Sequence, residues 1–284
     1  MKFAVLNIAI MAMILASYVT AGAKNNYRAT YSFQYTKDSI NSLKGNDILY
    51  LEISENKSFC FSYYTYQSDS LRRDPNGRKI WRQLFSAAIA KDGTNATSFP
   101  HQRSTFKISK YNNSDTISIK DVIDRDIFEY QTSKKDFNWN VYDTTKDIAG
   151  YTCYKATSNF HGRLWIVWFS PDLPISDGPW MLCGLPGLIL EAHDSANLYS
   201  FKFLGLDSTQ KLKEDWTEKG KRIDRIKFLK EKYKYLKNLT SVFNAEMGTN
   251  ISSNSDTRFI DGLEPDFLNQ KNNFINMEKL NQSN

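Results

Sequence analysis

Leu164-Trp165-Ile166-Val167-Trp168-Phe169 is apolar at every position. Such a short run, rich in aromatic and β-branched residues, suits a strand better than a helix. Because both alternations are apolar, the strand is expected to be covered on both faces and to lie centrally in a sheet. Just before it, Tyr151–Asn159 reads as its hairpin partner across Phe160-His161-Gly162. Just after it, four of the seven prolines (Pro171, Pro174, Pro179 and Pro186) mark Ser170 to Gly187 as a stiff, ordered crossing. Leu188–His193 and Asn197–Leu206 then resume as strands around Asp194-Ser195-Ala196.

Towards the N-terminus the pattern is again β. Tyr27, Ala29, Tyr31, Phe33 and Tyr35 alternate with Arg28, Thr30, Ser32, Gln34 and Thr36, which predicts a strand with one buried face. Asp47–Glu55 and Lys57–Tyr66 follow as strands, with Glu55-Asn56 as the turn between them. Shorter strands fit Thr105–Tyr111, Thr116–Lys120, Ile127–Thr132 and Asn138–Asp143. Ile80–Ala88 is compatible with a short helix, and Asp74-Pro75-Asn76-Gly77 ahead of it reads as a turn.

At 284 residues, 41% hydrophobic and 24% charged, with 18 Phe and 16 Tyr against 13 Gly, the chain is neither collagen-like, low-complexity nor wholly disordered. Its net charge of +6 has one source, because Lys211–Lys237 holds 11 of the basic and 5 of the acidic residues. There Ile223, Ile226, Leu229, Tyr233 and Leu236 recur every three or four positions among the lysines, which predicts an amphipathic helix over Lys221–Glu246. Lys227, Lys230, Lys234 and Lys237 are expected to face water. This is no nucleic-acid module, and no nucleic-acid partner is expected. The fold class expected is α+β, mainly β: an antiparallel, half-barrel-like sheet with a C-terminal helix.

Residues 1–23 read as a signal peptide. Lys2 supplies the charge, Phe3 to Val19 the apolar stretch, and Ala21-Gly22-Ala23 the small-residue site before Lys24. Later segments are too short to span a bilayer, so no transmembrane segment is expected after cleavage. A single domain is expected over 24–246, then a polar, weakly ordered tail over 247–284. The three cysteines are an odd set for an oxidising compartment. Cys60 and Cys153 both read as strand residues, and a Cys60–Cys153 disulfide is one pairing open to them, whereas Cys183 reads as a buried hydrophobe.

The chain carries no GxSxG, HExxH, Walker A or GxGxxG pattern. His101, His161 and His193 are widely separated and have no metal-ligand spacing, so neither metal nor cofactor is expected. The specific signal is Gly178-Pro179-Trp180-Met181-Leu182-Cys183-Gly184-Leu185-Pro186-Gly187-Leu188-Ile189. Leu185-Pro186-Gly187-Leu188 fits a type II turn with Gly187 at positive φ, and the whole reads as a structural corner beneath Trp180.

These residues resemble the GLPGLI family, named for the hexapeptide Gly184–Ile189. The resemblance extends to Gly150, Tyr151, Cys153 and Ala156 upstream, and to Gly162, Arg163, Trp168 and Pro174, over about Trp139–Leu206. It implies an exported Gram-negative envelope protein, periplasmic or extracellular, and brings no catalytic residues. Missing catalytic motifs and abundant aromatics favour a non-enzymatic binding protein for an apolar ligand, peptide or envelope partner. The competing expectation is an envelope hydrolase or peptidase whose composite site uses His161, Arg163 or His193.

Overall fold

The computed structural model describes residues 26–38, 43–93, 99–209, 219–238 and 262–268. Its strands are β1 (Asn26–Asp38), β2 (Leu43–Ile53), β3 (Lys57–Ser62), β4 (Lys107–Tyr111), β5 (Thr116–Ile123) and β6 (Asp126–Ser133). After a 3-10 turn at Lys134–Asp136 come β7 (Asn140–Ile148), β8 (Tyr151–Phe160), β9 (Arg163–Ser170), β10 (Leu188–Asp194), β11 (Tyr199–Thr209) and the short β12 (Lys221–Arg222). The helices are α1 (Tyr63–Arg73), α2 (Pro75–Asp92) and α3 (Arg225–Lys237). All 12 strands form one sheet, ordered β12-β6-β5-β4-β3-β2-β1-β11-β10-β9-β8-β7. Only the β12–β6 pairing is parallel among the described strands.

Alternation sets the buried face. Ala29, Tyr31 and Phe33 on β1 oppose Leu51, Leu49 and Asp47 on β2, and all of these are buried. Cys60 on β3 sits opposite both Leu51 and Ile108, and Ile119 on β5 lies opposite Tyr130 on β6, so the same face runs on through β6. Trp165, Val167 and Phe169 continue it on β9. Covering this face among the described residues are the Pro-rich crossing between β9 and β10, with Trp180 at 5.4 Å from Trp165, and α3, with Phe228 stacked at 5.0 Å on Tyr130.

Several expectations are corrected. The third strand ends at Ser62, whose hydroxyl caps α1 by accepting from Thr65 N. Tyr63–Tyr66 is therefore helical, and Phe59 and Phe61 pack towards it on the face opposite Cys60. Asp74-Pro75 opens α2 in the same way: Asp74 accepts from Gly77 N at 2.6 Å and Pro75 occupies the first turn, where its missing N–H costs nothing. β9 is not central, since only β8 and β7 lie outboard of it, and it is not covered on both faces. Leu164 is 38% exposed, while Ile166 and Trp168 are half-buried. β2 and β1 hold the middle.

The Cys60–Cys153 disulfide does not form: all three cysteines are free and buried. Cys60 on β3 and Cys153 on β8 are separated by five strands, so the sheet order keeps them apart. The predicted helix begins at Arg225, because Lys221-Arg222 pairs with β6; its predicted stretch beyond Asn238 lies outside the described residues, as does the signal peptide. Within the tail, Gly262–Leu268 is built into the fold, with Glu264 and Pro265 buried and Pro265–Phe267 forming a 3-10 turn.

Candidate functional site

The corner between β9 and β10 is held by a lysine. Lys110 on β4 alternates in phase with Ile108, so its side chain points inward and is 2% exposed. Its ammonium donates to the carbonyls of Gly178 (2.9 Å), Trp180 (3.1 Å) and Leu182 (3.3 Å) and pairs with the Asp177 carboxylate. A buried charge is tolerated only with such full pairing. Burial acts to lower the Lys110 pKa, but Asp177 together with the nearby Cys183 and Cys60 more than offsets this, and the net direction is upward.

The glycines of the corner have roles other than the one expected. Gly187 is not at positive φ, so the type II turn with a left-handed Gly187 is not formed. A Cβ there would lie 2.2 Å from the Ser170 carbonyl oxygen, so close backbone approach demands glycine. Gly184 carries the positive φ, +93°, and the carbonyl before it, on Cys183, accepts from Trp139 Nε1 at 2.9 Å. Trp180 itself has φ +54°, a strained value for a bulky residue. Gly178 abuts Ile189, whose Cβ would be 2.8 Å from an added methyl. Leu185, Leu188 and Ile189 are buried with Pro179, while Pro186 and Pro174 are exposed.

The upstream residues sit on the neighbouring hairpins. Ala149-Gly150 (φ +52° and +84°) and His161-Gly162 (φ +48° and +85°) make the two tight turns around β8. Cys153 and Ala156 are buried on β8, Tyr151 is half-buried at its start, and Trp168 lies on the outer face with the Lys146 ammonium 4.5 Å from its ring. Arg163 pairs with Asp194 at 2.9 Å.

Under α3 the covering layer and the sheet leave a cavity of about 570 Å³, within the usual range of ligand sites (~300–1,000 Å³). Its apolar walls include Phe33, Phe106, Ile119, Tyr130, Phe228 and Leu229. Phe33 and Phe106 stand edge to face at 6.4 Å, extending the β1 alternation into the wall. Polar groups enter at a few points: Tyr35, Arg103, Thr105, Asp121 and Lys232. Lys232 is ion-paired with Asp121, which also accepts from Thr105 Oγ1 at 2.6 Å. Burial, with the charge of Asp47, raises the Tyr35 phenol.

One wall is the strap Gly262–Leu268, through Gly262, Leu263, Glu264 and Phe267. Tyr130 OH donates to Glu264 Oε1 at 2.7 Å, and Arg225 donates to Glu264 Oε2 and Asp266 Oδ1, each at 3.0 Å. His161 faces Asp266 at 3.4 Å and Glu264 at 3.8 Å, while Arg163 donates to the Gly262 carbonyl at 2.6 Å. Gly162 leaves room for the strap, since a Cβ there would approach Asp266 N to 2.9 Å. Burial raises the Glu264 pKa against the pull of His161, Tyr130 and Arg225. For Asp266 burial is outweighed by its bonds to His161 and Arg225, and its carboxyl is held far below the usual range.

Of the corner and family-like residues singled out from the sequence, Trp180 alone lines this cavity; Phe33 and Tyr35 of the β1 alternation and Leu229, Tyr233 and Leu236 of the predicted helix stripe line it too. His161, Gly162 and Arg163 act at its rim through the strap, and the other motif residues build the corner behind it. Lys110, Arg103, Asp121, Glu264 and Phe228 were not legible as a set. Phe228 lies outside the predicted stripe and is the fully buried residue of α3, while Ile226, Leu229, Tyr233 and Leu236 are half-buried. Lys227, Lys230, Lys234 and Lys237 are exposed. Among the described residues no group of three or more His, Cys, Asp or Glu side chains is arranged to hold a metal ion, and no helix is long and apolar enough to cross a membrane.

A family profile described as "Protein of unknown function (Porph_ging)" matches residues 161–191, from the β8–β9 turn to β10. No curated protein matches the chain. Among solved structures, PNGF-II in its P21 crystal form superposes with a TM-score of 0.50 at 13% identity, covering 75% of this chain and 34% of that one. The C2 form gives the same TM-score and identity over 74% and 33%. The chain thus spans about a third of the length of these solved chains, and the likeness concerns the fold alone. A DUF1329 family protein from Desulfovibrio piger ATCC 29098 aligns over 70% of this chain and 91% of its own, at 7% identity and a TM-score of 0.29, too low to carry an argument.

Proposed function

We propose that this is an exported, GLPGLI-type envelope protein that binds an apolar ligand in the cavity beneath α3, without catalysing a reaction. The observation that supports this reading is the cavity itself: about 570 Å³ walled by Phe33, Phe106, Ile119, Tyr130, Phe228 and Leu229, with few polar points. Export is supported by the charged, apolar and small-residue sequence of Met1–Ala23. The corner motif serves as the rear support of that cavity, with Trp180 as its contribution to the wall.

Delipidated mature protein should enhance the fluorescence of N-phenyl-1-naphthylamine saturably. Leu229→Arg, which puts a charge on the wall, should abolish the enhancement while leaving the far-UV circular dichroism intact. A wild-type protein that leaves the probe dark would remove the reading.

An envelope hydrolase finds one favourable contact, His161 Nε2 at 2.8 Å from Thr132 Oγ1. The rest of the arrangement weighs against it. The Thr132 hydroxyl donates to Asp136 at 3.0 Å, which leaves the ring nitrogen as donor and not as base. Asp266 is occupied by Arg225, and neither Thr132 nor His161 lines the cavity. Turnover of ester, amide or glycoside reporters that disappears in Thr132→Val would restore the hydrolase.

A further inference from the structure

Resting on the cavity reading above, we propose that the ligand is an amphiphile with an alkyl chain and an anionic head group, a carboxylate or a phosphate, and that Arg103 receives the head. Of the two cations lining the cavity, Lys232 is committed to Asp121. Arg103 has no carboxylate at ion-pair distance among the described residues. Its guanidinium lies 3.7 Å from the centre of the Tyr64 ring, and NH1 donates to the Asn46 carbonyl at 2.6 Å.

Among the described residues, stacking and that single bond fix the plane of the guanidinium while using one of its five N–H groups. A fixed planar fork with open donors is the usual receptor for carboxylate or phosphate oxygens. It shares the cavity lining with Tyr35, on whose phenol its charge acts, and with Thr36, Ser104 and Phe106, so the head-group position belongs to the same cavity as the aromatic wall formed by Phe33 and Phe106. The other charged groups on the lining, Asp121, Asp124 and Glu264, are acidic. Asp121 is paired with Lys232 and Glu264 with Arg225, and Asp124 belongs to the exposed β5–β6 turn. A cationic head would find no unpaired buried carboxylate there, whereas an anionic head finds Arg103.

The test is competition against N-phenyl-1-naphthylamine on the mature protein, using laurate, dodecyl phosphate, dodecanol and dodecyltrimethylammonium at matched chain length. Laurate or dodecyl phosphate should displace the probe about tenfold more tightly than dodecanol, as a hydrogen-bonded charged contact provides. Comparing these two identifies the source of the anion. Arg103→Gln should bring the anions to within about threefold of dodecanol while leaving dodecanol itself unchanged. Tyr64→Leu, which removes the stack but keeps the charge, should weaken the preference partially and guards against a folding defect in the first variant. Equal binding of dodecanol and laurate, or tighter binding of the ammonium, would overturn the head-group assignment while leaving the apolar cavity standing. Displacement by none of the four would count against the cavity reading itself.

Discussion

Lys110 donates to the carbonyl oxygen of Gly178 at 2.9 Å, joining the middle of β4 to the crossing between β9 and β10. The elements are 68 residues apart in sequence, and the bond is fully buried. Lys110→Met removes the cation and leaves Asp177 and three carbonyls without it, so it should destabilise the protein by about 3 kcal/mol. Lys110→Met with Asp177→Leu removes both charges and should recover part of that loss. Urea denaturation measures both, and a single variant within about 1 kcal/mol of wild type would refute the stapling role.

Gly187 and Gly184 should respond differently to the same methyl group. At Gly187 it meets the Ser170 carbonyl oxygen at 2.2 Å, a contact that forces β9 and the crossing apart. At Gly184 the nearest atom, Trp139 Nε1, is 3.6 Å away, and only the positive φ opposes an alanine. Gly184→Ala should cost about 1 kcal/mol, and Gly187→Ala at least twice as much. The reverse order in thermal melts would show that backbone handedness, not close approach, governs the corner.

Stability should fall in alkali. Burial pushes the Cys60 thiol up to about 12 and Cys153 and Cys183 to about 11. Burial also raises Tyr31 and Tyr130, assisted by Asp177 and Glu264 respectively. The unfolded chain ionises its thiols near pH ~8.5, whereas the folded chain keeps them neutral. Their contribution is therefore complete below about pH 8.5 and is lost as the pH rises towards about 12. The urea midpoint should decline over that window. Thiol reagents at pH 8 should label none of the three cysteines until the protein is unfolded. A flat midpoint, or rapid native labelling, would contradict the burial of these thiols.

What the sequence disclosed was local. Period-2 alternation placed β1, and the apolar run with its His161-Gly162 turn placed β8 and β9 to within a residue or two. The reading of β9 as central failed because apolar residues on the outer face, such as Leu164 and Trp168, are not all covered. The first turn of α1 reads as strand because Tyr63-Tyr64-Thr65-Tyr66 has β-type composition, and the Ser62 cap that starts the helix shows only as a hydroxyl three residues before Thr65. The cavity was illegible for a different reason. It joins β1, the segment before β4, β5, β6, α3 and the strap, and no spacing along the chain encodes those meetings. Lys110 carried the one usable signal, a lysine in phase with inward-facing Ile108.

The strap should open when Arg225 is neutralised. Arg225 reaches from the first turn of α3 to both strap carboxylates, bonding Glu264 at 3.0 Å and Asp266 through both guanidinium arms. Glu264 is 4% exposed, so without Arg225 its charge is left to Tyr130 OH and His161 alone. Arg225→Met keeps the length of the side chain and removes the cation, so the penalty falls on the strap and not on the apolar core beneath Phe228. Opening of residues 262–268 should become at least about tenfold more frequent, seen as faster amide exchange there with β1 and β11 unaffected. Because Leu263 and Phe267 line the cavity, N-phenyl-1-naphthylamine should also leave the variant faster than wild type. Arg225→Lys, which retains one charge but not the two-armed bond, should fall between them. Exchange and probe release that match wild type in Arg225→Met would mean that Arg163 and the Pro265 contact at Gly162 hold the strap without the ion pairs.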